Sequence, residues 1–439
     1  MAGKVYLIGA GPGRPDLITA RGLNILKQAE VIIYDYLVDP GLFLGLSAKL
    51  SRSDGSPDLM VKRAKEGKKV ARLKNGDPSI FGRLKEEINA LRAANIEFEI
   101  VPGVTAGNAA AAYSGTPLTA RGFASSVVLA TGHEVSGQST IDWEKIAALP
   151  SIVLYMAVEN LGSIVDKLLQ NKKSPRTPVT VVSCAGSIFQ KKVEGSLADI
   201  AQKAQKIPAP AIIIIGANKK YDWFKNNRRI LFTGLSGEKF FLPGTYFHLP
   251  MIEIKPLADY SQLDHRLKNL EMFNWLLFSS RYGVQYFFER LFNLALDARS
   301  LAGLKIAAVG RSTASALQNY GVKADLVPKI ESADGLSQEL KKEGIKQQLV
   351  FMPRSNLADK GLEEKLTRLG AHVVSCVAYD NVMPQNLPDL DVSFFDEIMF
   401  TSPSAVRNFK KRYKTIPKRV KISWIGEVTR KEVKRVFNK

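Results

Sequence analysis

The 439-residue chain contains no run of about 20 apolar residues, the length that a membrane-spanning helix needs, so no membrane partner is expected. Cysteine is scarce. The two present, Cys184 and Cys376, lie far apart, which excludes a disulfide framework and reads as reduced core thiols of a cytoplasmic protein. The four histidines, His133, His248, His265 and His372, are scattered without metal-ligand spacing, so no metal is expected. Acidic residues are short: 42 against 62 Lys and Arg, a net charge of +20. That excess points to an anionic partner, nucleic acid or a polycarboxylate small molecule, or reflects a basic proteome. Outside the tail from Lys410 to Lys439 the lysines are spread along helical patterns, not clustered beside aromatics, so no nucleic-acid partner is expected. A strand begins by Val5, which leaves no room for a targeting segment.

Strand and helix patterns alternate throughout, which predicts an α/β fold. "KVYLIGA", "AEVIIYD", "KKVARL", "SSVVLATG", "SIVLYM", "PVTVVS" and "PAIIIIGA" read as buried strands. After Gly216, "ANKKYDWFKNNRR" reads as a polar, basic linker and places the main boundary near Asn226, with domains 1–225 and 226–439. The second half repeats itself. "WLLFSSRYGVQYFFERL" from Trp275 and "EIMFTSPSAVRNFKKRY" from Glu397 each read as strand, two hydroxyl residues, then amphipathic helix. Each is followed by a second matching unit, "IAAVGRSTASAL" from Ile306 and "ISWIGEVTRKEV" from Ile422. Two similar lobes would explain this. The hydroxyls Ser279, Ser280, Thr401 and Ser402 fit N-caps, and facing helix N-termini would also suit the carboxylates of a ligand.

The opening stretch "VYLIGAGPGRPDLITARG" runs a strand into a glycine-rich turn. A dinucleotide loop needs G-x-G-x-x-G. Gly9 and Gly11 fit, but the third position is Arg14, and Pro12 removes a donor from the turn. Asp35, at the end of the next strand, would suit a ribose, so that reading stays open at this point.

Further stretches discriminate: "RLKNGDPSIFGR" (Arg72–Arg83), "VPGVTAGNAAAAYSGTPLT" (Val101–Thr119), "VLYMAVENL" (Val153–Leu161), "YDYLV", "ASSVVLATGHE" and "PAIIIIG". With "GAGPGRPDLIT" they resemble, in order and spacing, the uroporphyrinogen-III C-methyltransferases of the tetrapyrrole methylase family, over about Val5 to Ala217. The resemblance implies two α/β subdomains around a cleft for S-adenosylmethionine, a ligand with no phosphate to cradle. It places the binding positions at Pro12, Asn75, Gly76, Asp77, Ile80, Thr105, Ala106, Met156 and Ala185. It also implies Asp35 as proton acceptor and Arg83 as a substrate-contacting or deprotonation-assisting cation, and it allows a homodimer through this half. By themselves Met156 fits core packing, Gly76-Asp77-Pro78 a turn, and Arg83 a solvated helix-start cation. The chain departs from the family pattern in "SAKLSRSDGSPDLMVKRAKEGKKV", which is shorter than usual and lacks a "VGKR" stretch with its lysine proton donor, for which Lys62 is a poor substitute. Asn75, Arg14 and Ala157 also depart from it.

"RRILFTG", "PMIEIKP", "GLKIAAVGRSTASALQNYGVKADLVP", "LVFMPRSN", "GAHVVSCVAYDNVMP" and the two repeat units resemble uroporphyrinogen-III synthase, from about Arg229 to Phe437. The resemblance implies two lobes, one from about 229–255 with 387–439 and the other from about 256–384. It implies hydroxymethylbilane, with eight carboxylates, as the substrate, closed into a macrocycle with one ring inverted. Tyr379 aligns with a tyrosine that assists loss of the hydroxyl. Ser280, Thr313, Arg354, Thr401, Ser402 and Thr429 take carboxylate-contacting positions. Tyr379 alone also reads as a half-buried strand tyrosine. Between "ILFTG" and the next expected strand only "LSGEKFFLPGTYFHL" intervenes, and the match ends early, so the first lobe is expected to be thin.

Together these imply a bifunctional enzyme making uroporphyrinogen III and methylating it to precorrin-2, towards sirohaem, cobalamin or haem. The residues leave open synthase activity alone, with a decayed first half, or a non-catalytic tetrapyrrole or nucleic-acid binding protein.

Overall fold

The computed structural model describes residues 3–43, 46, 48–132, 141–216, 221, 228–235 and 245–438. The chain divides into two compact units, the first running to Ile230 and the second holding most of the chain from Leu231 onward. The expected boundary at Asn226 lies outside the described residues.

The first unit opens with five parallel strands, β1 (Val5–Gly9), β2 (Val31–Tyr34), β3 (Lys49–Arg52), β4 (Val70–Lys74) and β5 (Phe98–Val101), in the order β3-β2-β4-β1-β5. β1 and β2 are near-continuous apolar runs because helices cover both faces of the sheet. β4 carries two cations, Arg72 and Lys74, yet every one of its residues is buried. The helix Ala106–Ser114 follows, ended by Gly115 at φ +69°. A second sheet is built from β6 (Val128–Thr131), β7 (Ile152–Tyr155), β8 (Pro178–Ser183), β9 (Lys191–Ser196) and β10 (Ala211–Ile215), in the order β6-β7-β10-β8-β9. β10, one alanine and four isoleucines, all buried, lies antiparallel between β7 and β8. All seven expected strands of this half are present. The shortened stretch after Leu50 still carries the helix Asp58–Lys65.

Two further sheets follow along the chain. One has the order β12-β11-β18-β19, from β11 (Arg229–Phe232), β12 (Thr245–His248), β18 (Glu397–Phe400) and β19 (Lys421–Trp424). The other has the order β13-β17-β16-β14-β15, from β13 (Glu253–Lys255), β14 (Trp275–Phe278), β15 (Lys305–Ala308), β16 (Leu349–Ser355) and β17 (His372–Val382). The lobes therefore differ from expectation in one respect: Glu253–Lys255 pairs antiparallel with β17 and belongs to the second lobe, so the chain crosses over before β13. The repeat is structural. β14 pairs in parallel with β15, with Phe278 opposite Ala308, and β18 pairs in parallel with β19, with Phe400 opposite Trp424. The helix Arg281–Asn293 buries Phe287 and Phe288 against Phe278 and Phe351, which form the centre of the second lobe's core.

Candidate active sites of the two units

In the first unit, three strand ends meet on glycine. A Cβ on Gly9 would lie 2.5 Å from Gly103 Cα, and one on Gly103 would lie 2.2 Å from Gly76 O. Backbones this close let Gly11 and Gly76 exchange hydrogen bonds of 3.2 and 2.7 Å, which fixes the turn that holds Pro12 beside the Asn75-Gly76 turn. Gly76 itself needs φ +69°. Asp77 ties this junction together: Oδ2 accepts from Gly103 N–H at 2.8 Å and Oδ1 from Ser79 N–H at 2.8 Å. Partial burial pushes the Asp77 carboxyl up, but the Ser79 and Gly103 donors outweigh it and hold it below its ordinary value. Gly103→Ala is expected to cost about 3 kcal/mol, the upper end for overpacking, because the clash is with backbone; urea unfolding measures it.

Around this junction Ile80, Ala106 and Ala185 pack in one apolar cluster with Val153 and Tyr155. The Thr105 hydroxyl lies 2.8 Å from the Tyr155 hydroxyl, which also accepts from Gly107 N–H at 3.1 Å. Phe81, 41% exposed, leans on Tyr155 with ring centroids 5.0 Å apart. Met156 follows Tyr155 and is 54% exposed, so it is not a core methionine. Phe81, Arg83, Met156 and Cys184 all have φ between +50° and +54°, strain gathered on the loops that end β4, β7 and β8. Arg14, which departs from the family pattern, pairs with Asp16 and reaches Gly186 O at 3.4 Å, bridging the loop after β1 to the turn after β8.

Asp35 accepts from Arg72 Nη2 at 2.6 Å. Arg83 does not bond to Asp35. It is 64% exposed, donates from Nε to Glu86 at 3.0 Å and from Nη1 to Gly55 O at 3.4 Å, and must release Glu86 before it can hold a substrate carboxylate. Lys62 is exposed on its helix. The sequence reading missed Tyr155, Phe81, Arg72 and Glu87. Two cations inside a strand as apolar as its neighbours were the available signal, since buried charges need partners.

In the second unit, the Tyr379 hydroxyl lies 2.8 Å from the Ser280 hydroxyl, which also caps the helix Arg281–Asn293 by accepting from Gly283 N–H at 3.0 Å. Burial pushes the Tyr379 phenol up, against the lowering effect of hydrogen bonds with Ser280 and Ser355, so it stays neutral and can donate. Its ring stacks on Tyr286 at 5.5 Å and lies 6.2 Å from Tyr282. Ser402 caps the helix Pro403–Tyr413 through Ala405 N–H at 3.2 Å and lies 3.2 Å from Ser404. Asn381, two residues past Tyr379 in the "AYDN" stretch, donates to Ser404 at 3.3 Å and so joins the lobes. Thr401 follows β18, and its methyl lies close to Gly234. Thr313 and Thr429 are buried at matching positions of their helices. Arg354 is bound at 3.0 Å to Glu363. The structure thus brings Ser280 to Tyr379 and Ser402 to the Asn381 link, and leaves Arg354 apart.

The first unit is thus a sheet of parallel strands with glycine-linked ends, joined through an alanine-rich helix to a mostly antiparallel sheet, and a two-lobed repeat follows. The tetrapyrrole (corrin/porphyrin) methylase family matches residues 4–201, and uroporphyrinogen-III synthase HemD matches residues 243–436. A "Porphyrin biosynthesis protein HemD" of Ruminiclostridium josui is 32% identical over 94% of this chain and 90% of that protein. A "Uroporphyrinogen-III C-methyltransferase" of Bacillus subtilis is 35% identical over 73% of this chain and 72% of that protein. A "Siroheme synthase" of Neisseria meningitidis is 39% identical over 52% of this chain; the chain spans 50% of that protein's length. The chain belongs to the fused family in which a uroporphyrinogen-III C-methyltransferase precedes a uroporphyrinogen-III synthase. Among the described residues no helix is long and apolar enough to cross a membrane.

Proposed function

We propose that the second unit closes hydroxymethylbilane to uroporphyrinogen III and that the first methylates this product with S-adenosylmethionine to precorrin-2. The observation that best supports the reading is the glycine junction of Gly9, Gly76 and Gly103 beside the exposed Met156 and Phe81. Close backbone there offers amide and carbonyl groups, and the apolar rim suits adenine and a sulfonium, with no call for a phosphate cradle. In methyl transfer a ring carbon bonds the methyl group, the carbon–sulfur bond breaks with its electron pair on sulfur, and one substrate proton passes to a base, the role we assign to Asp35. In the synthase the substrate supplies most of the reactivity, and the protein must orient its ends. Neutral Tyr379 is suited to donate as the hydroxyl departs. Tyr379→Phe is expected to slow turnover about tenfold, the value of a hydrogen bond near 1.4 kcal/mol, in a stopped assay of macrocycle formation.

The test is incubation with hydroxymethylbilane, with and without S-adenosylmethionine, and separation of products by chromatography. The type III isomer without the methyl donor, and dimethylated product with it, are expected. Type I alone would overturn the synthase reading, and type III that is never methylated would overturn the methyltransferase reading.

A further inference from the structure

Beneath the proposed methyl-transfer cleft lies a buried charge network that the reaction outlined above does not use. Arg72 and Lys74 are each 4% exposed and Glu87 is 7% exposed. Every nitrogen of the Arg72 guanidinium is engaged. Nε donates to Glu87 Oε1 at 2.9 Å, Nη1 to Leu73 O at 2.9 Å, and Nη2 to Asp35 Oδ1 at 2.6 Å. Lys74 Nζ reaches the same Glu87 oxygen at 2.8 Å, and its side chain packs beneath Gly82, in the loop whose neighbours Phe81 and Arg83 are strained. The other Glu87 oxygen, Oε2, is buried without a partner among the described residues.

Two cations and one carboxylate are formally one positive charge in excess, and unbalanced charge in a low-dielectric interior is costly. Asp35 is the fourth member and balances the set. It is also the one member that reaches solvent, its side chain 33% exposed. Among the described residues, Arg72 alone bonds its carboxylate, and only at Oδ1. A planar guanidinium with all three nitrogens engaged is a rigid holder, which a lysine ammonium in the same place is not.

We infer that Arg72 is the positioning residue of the methyl-transfer site, anchored by Glu87, and that it pins Oδ1 of Asp35 so that Oδ2 alone is left to take the substrate proton. The inference rests on the reading of Asp35 as the base. It assigns the strand β4 and the helix Leu84–Ala93 a part in the chemistry, although Arg72 and Glu87 are buried. Small misplacements of a base have large kinetic effects, so the variants should lose turnover and keep cofactor binding.

The experiment uses the full chain. Arg72→Gln is expected to lower kcat for methyl transfer about 10- to 100-fold, with KM for S-adenosylmethionine and the affinity for S-adenosylhomocysteine unchanged. Arg72→Lys should recover part of the loss, and Glu87→Gln should reproduce a smaller one should Arg72→Gln fail to fold. In an Asp35→Asn background, Arg72→Gln should cost nothing more, because its effect runs through a base already removed. An unchanged kcat, or a full additional loss in that background, would overturn the inference. A wild-type chain without methyl transfer would instead sink the reading of Asp35 as the base. The crystal structure of Arg72→Gln then still decides the positioning: the Asp35 carboxylate is expected to leave its present rotamer, and finding it unmoved refutes the role.

Discussion

Asp35→Asn is expected to lower methyl transfer by about 100-fold or more while S-adenosylhomocysteine binds as in the wild type. The substitution keeps the shape of the side chain and removes a carboxylate able to accept a proton. The site is local: Asp35 follows β2, its backbone N–H bonds to Leu73 O, and its one side-chain partner among the described residues is Arg72. Nothing in the glycine junction depends on it, so cofactor affinity is the built-in control. Single-turnover methylation of uroporphyrinogen III measures the rate and calorimetry the affinity. A rate within a few-fold of wild type would show that Asp35 balances charge for Arg72 and does no proton transfer.

The second large effect is expected at Met156. Met156→Lys should weaken S-adenosylmethionine binding on the order of 100-fold, since an ammonium about 4 Å from a sulfonium costs about 1–4 kcal/mol between bulk-water and near-surface screening. Met156 is half exposed at φ +51° at the end of β7, so the lysine meets no core and the fold is retained. Met156→Leu supplies the uncharged control. Calorimetric titration of both variants is the check, and equal affinities in the two would remove Met156 from the cofactor site.

What the sequence disclosed follows from how each feature is written along the chain. β1, β2, β4, β6, β7, β8 and β10 are apolar runs and were legible as strands. β3 (KLSR), β9 (KKVEGS) and β12 (TYFH) were not, because β3, β9 and β12 are edge strands, and those of β3 and β9 are largely polar. A strand buried on one face or none carries little periodic signal. The candidate cofactor positions were legible because each sits in a contiguous turn of fixed chemistry. Pairings across long separations were not: Arg72 meets Glu87 from strand to helix, and Ser280 meets Tyr379 across 99 residues. The burial of Thr313 and Thr429 failed to show as well, since a hydroxyl in a helix pattern reads the same whether it faces water or a neighbour.

The matched registers of β14 with β15 and of β18 with β19 make the two lobes near copies, and near copies cannot by themselves tell head from tail. Hydroxymethylbilane has four similar rings, only one of which is to be turned over. Its orientation must then be read where the copies disagree. Trp424, 36% exposed, stands where the other lobe has the buried Ala308, and the helix starts after Gly310 and Gly426 carry opposite charges, Arg311 and Glu427. A duplicated scaffold of this kind gains direction from a handful of broken equivalences. Restoring them, by Trp424→Ala with Glu427→Arg, is expected to weaken the preference for one orientation and to raise the share of non-inverted type I product, read by chromatography of the macrocycles.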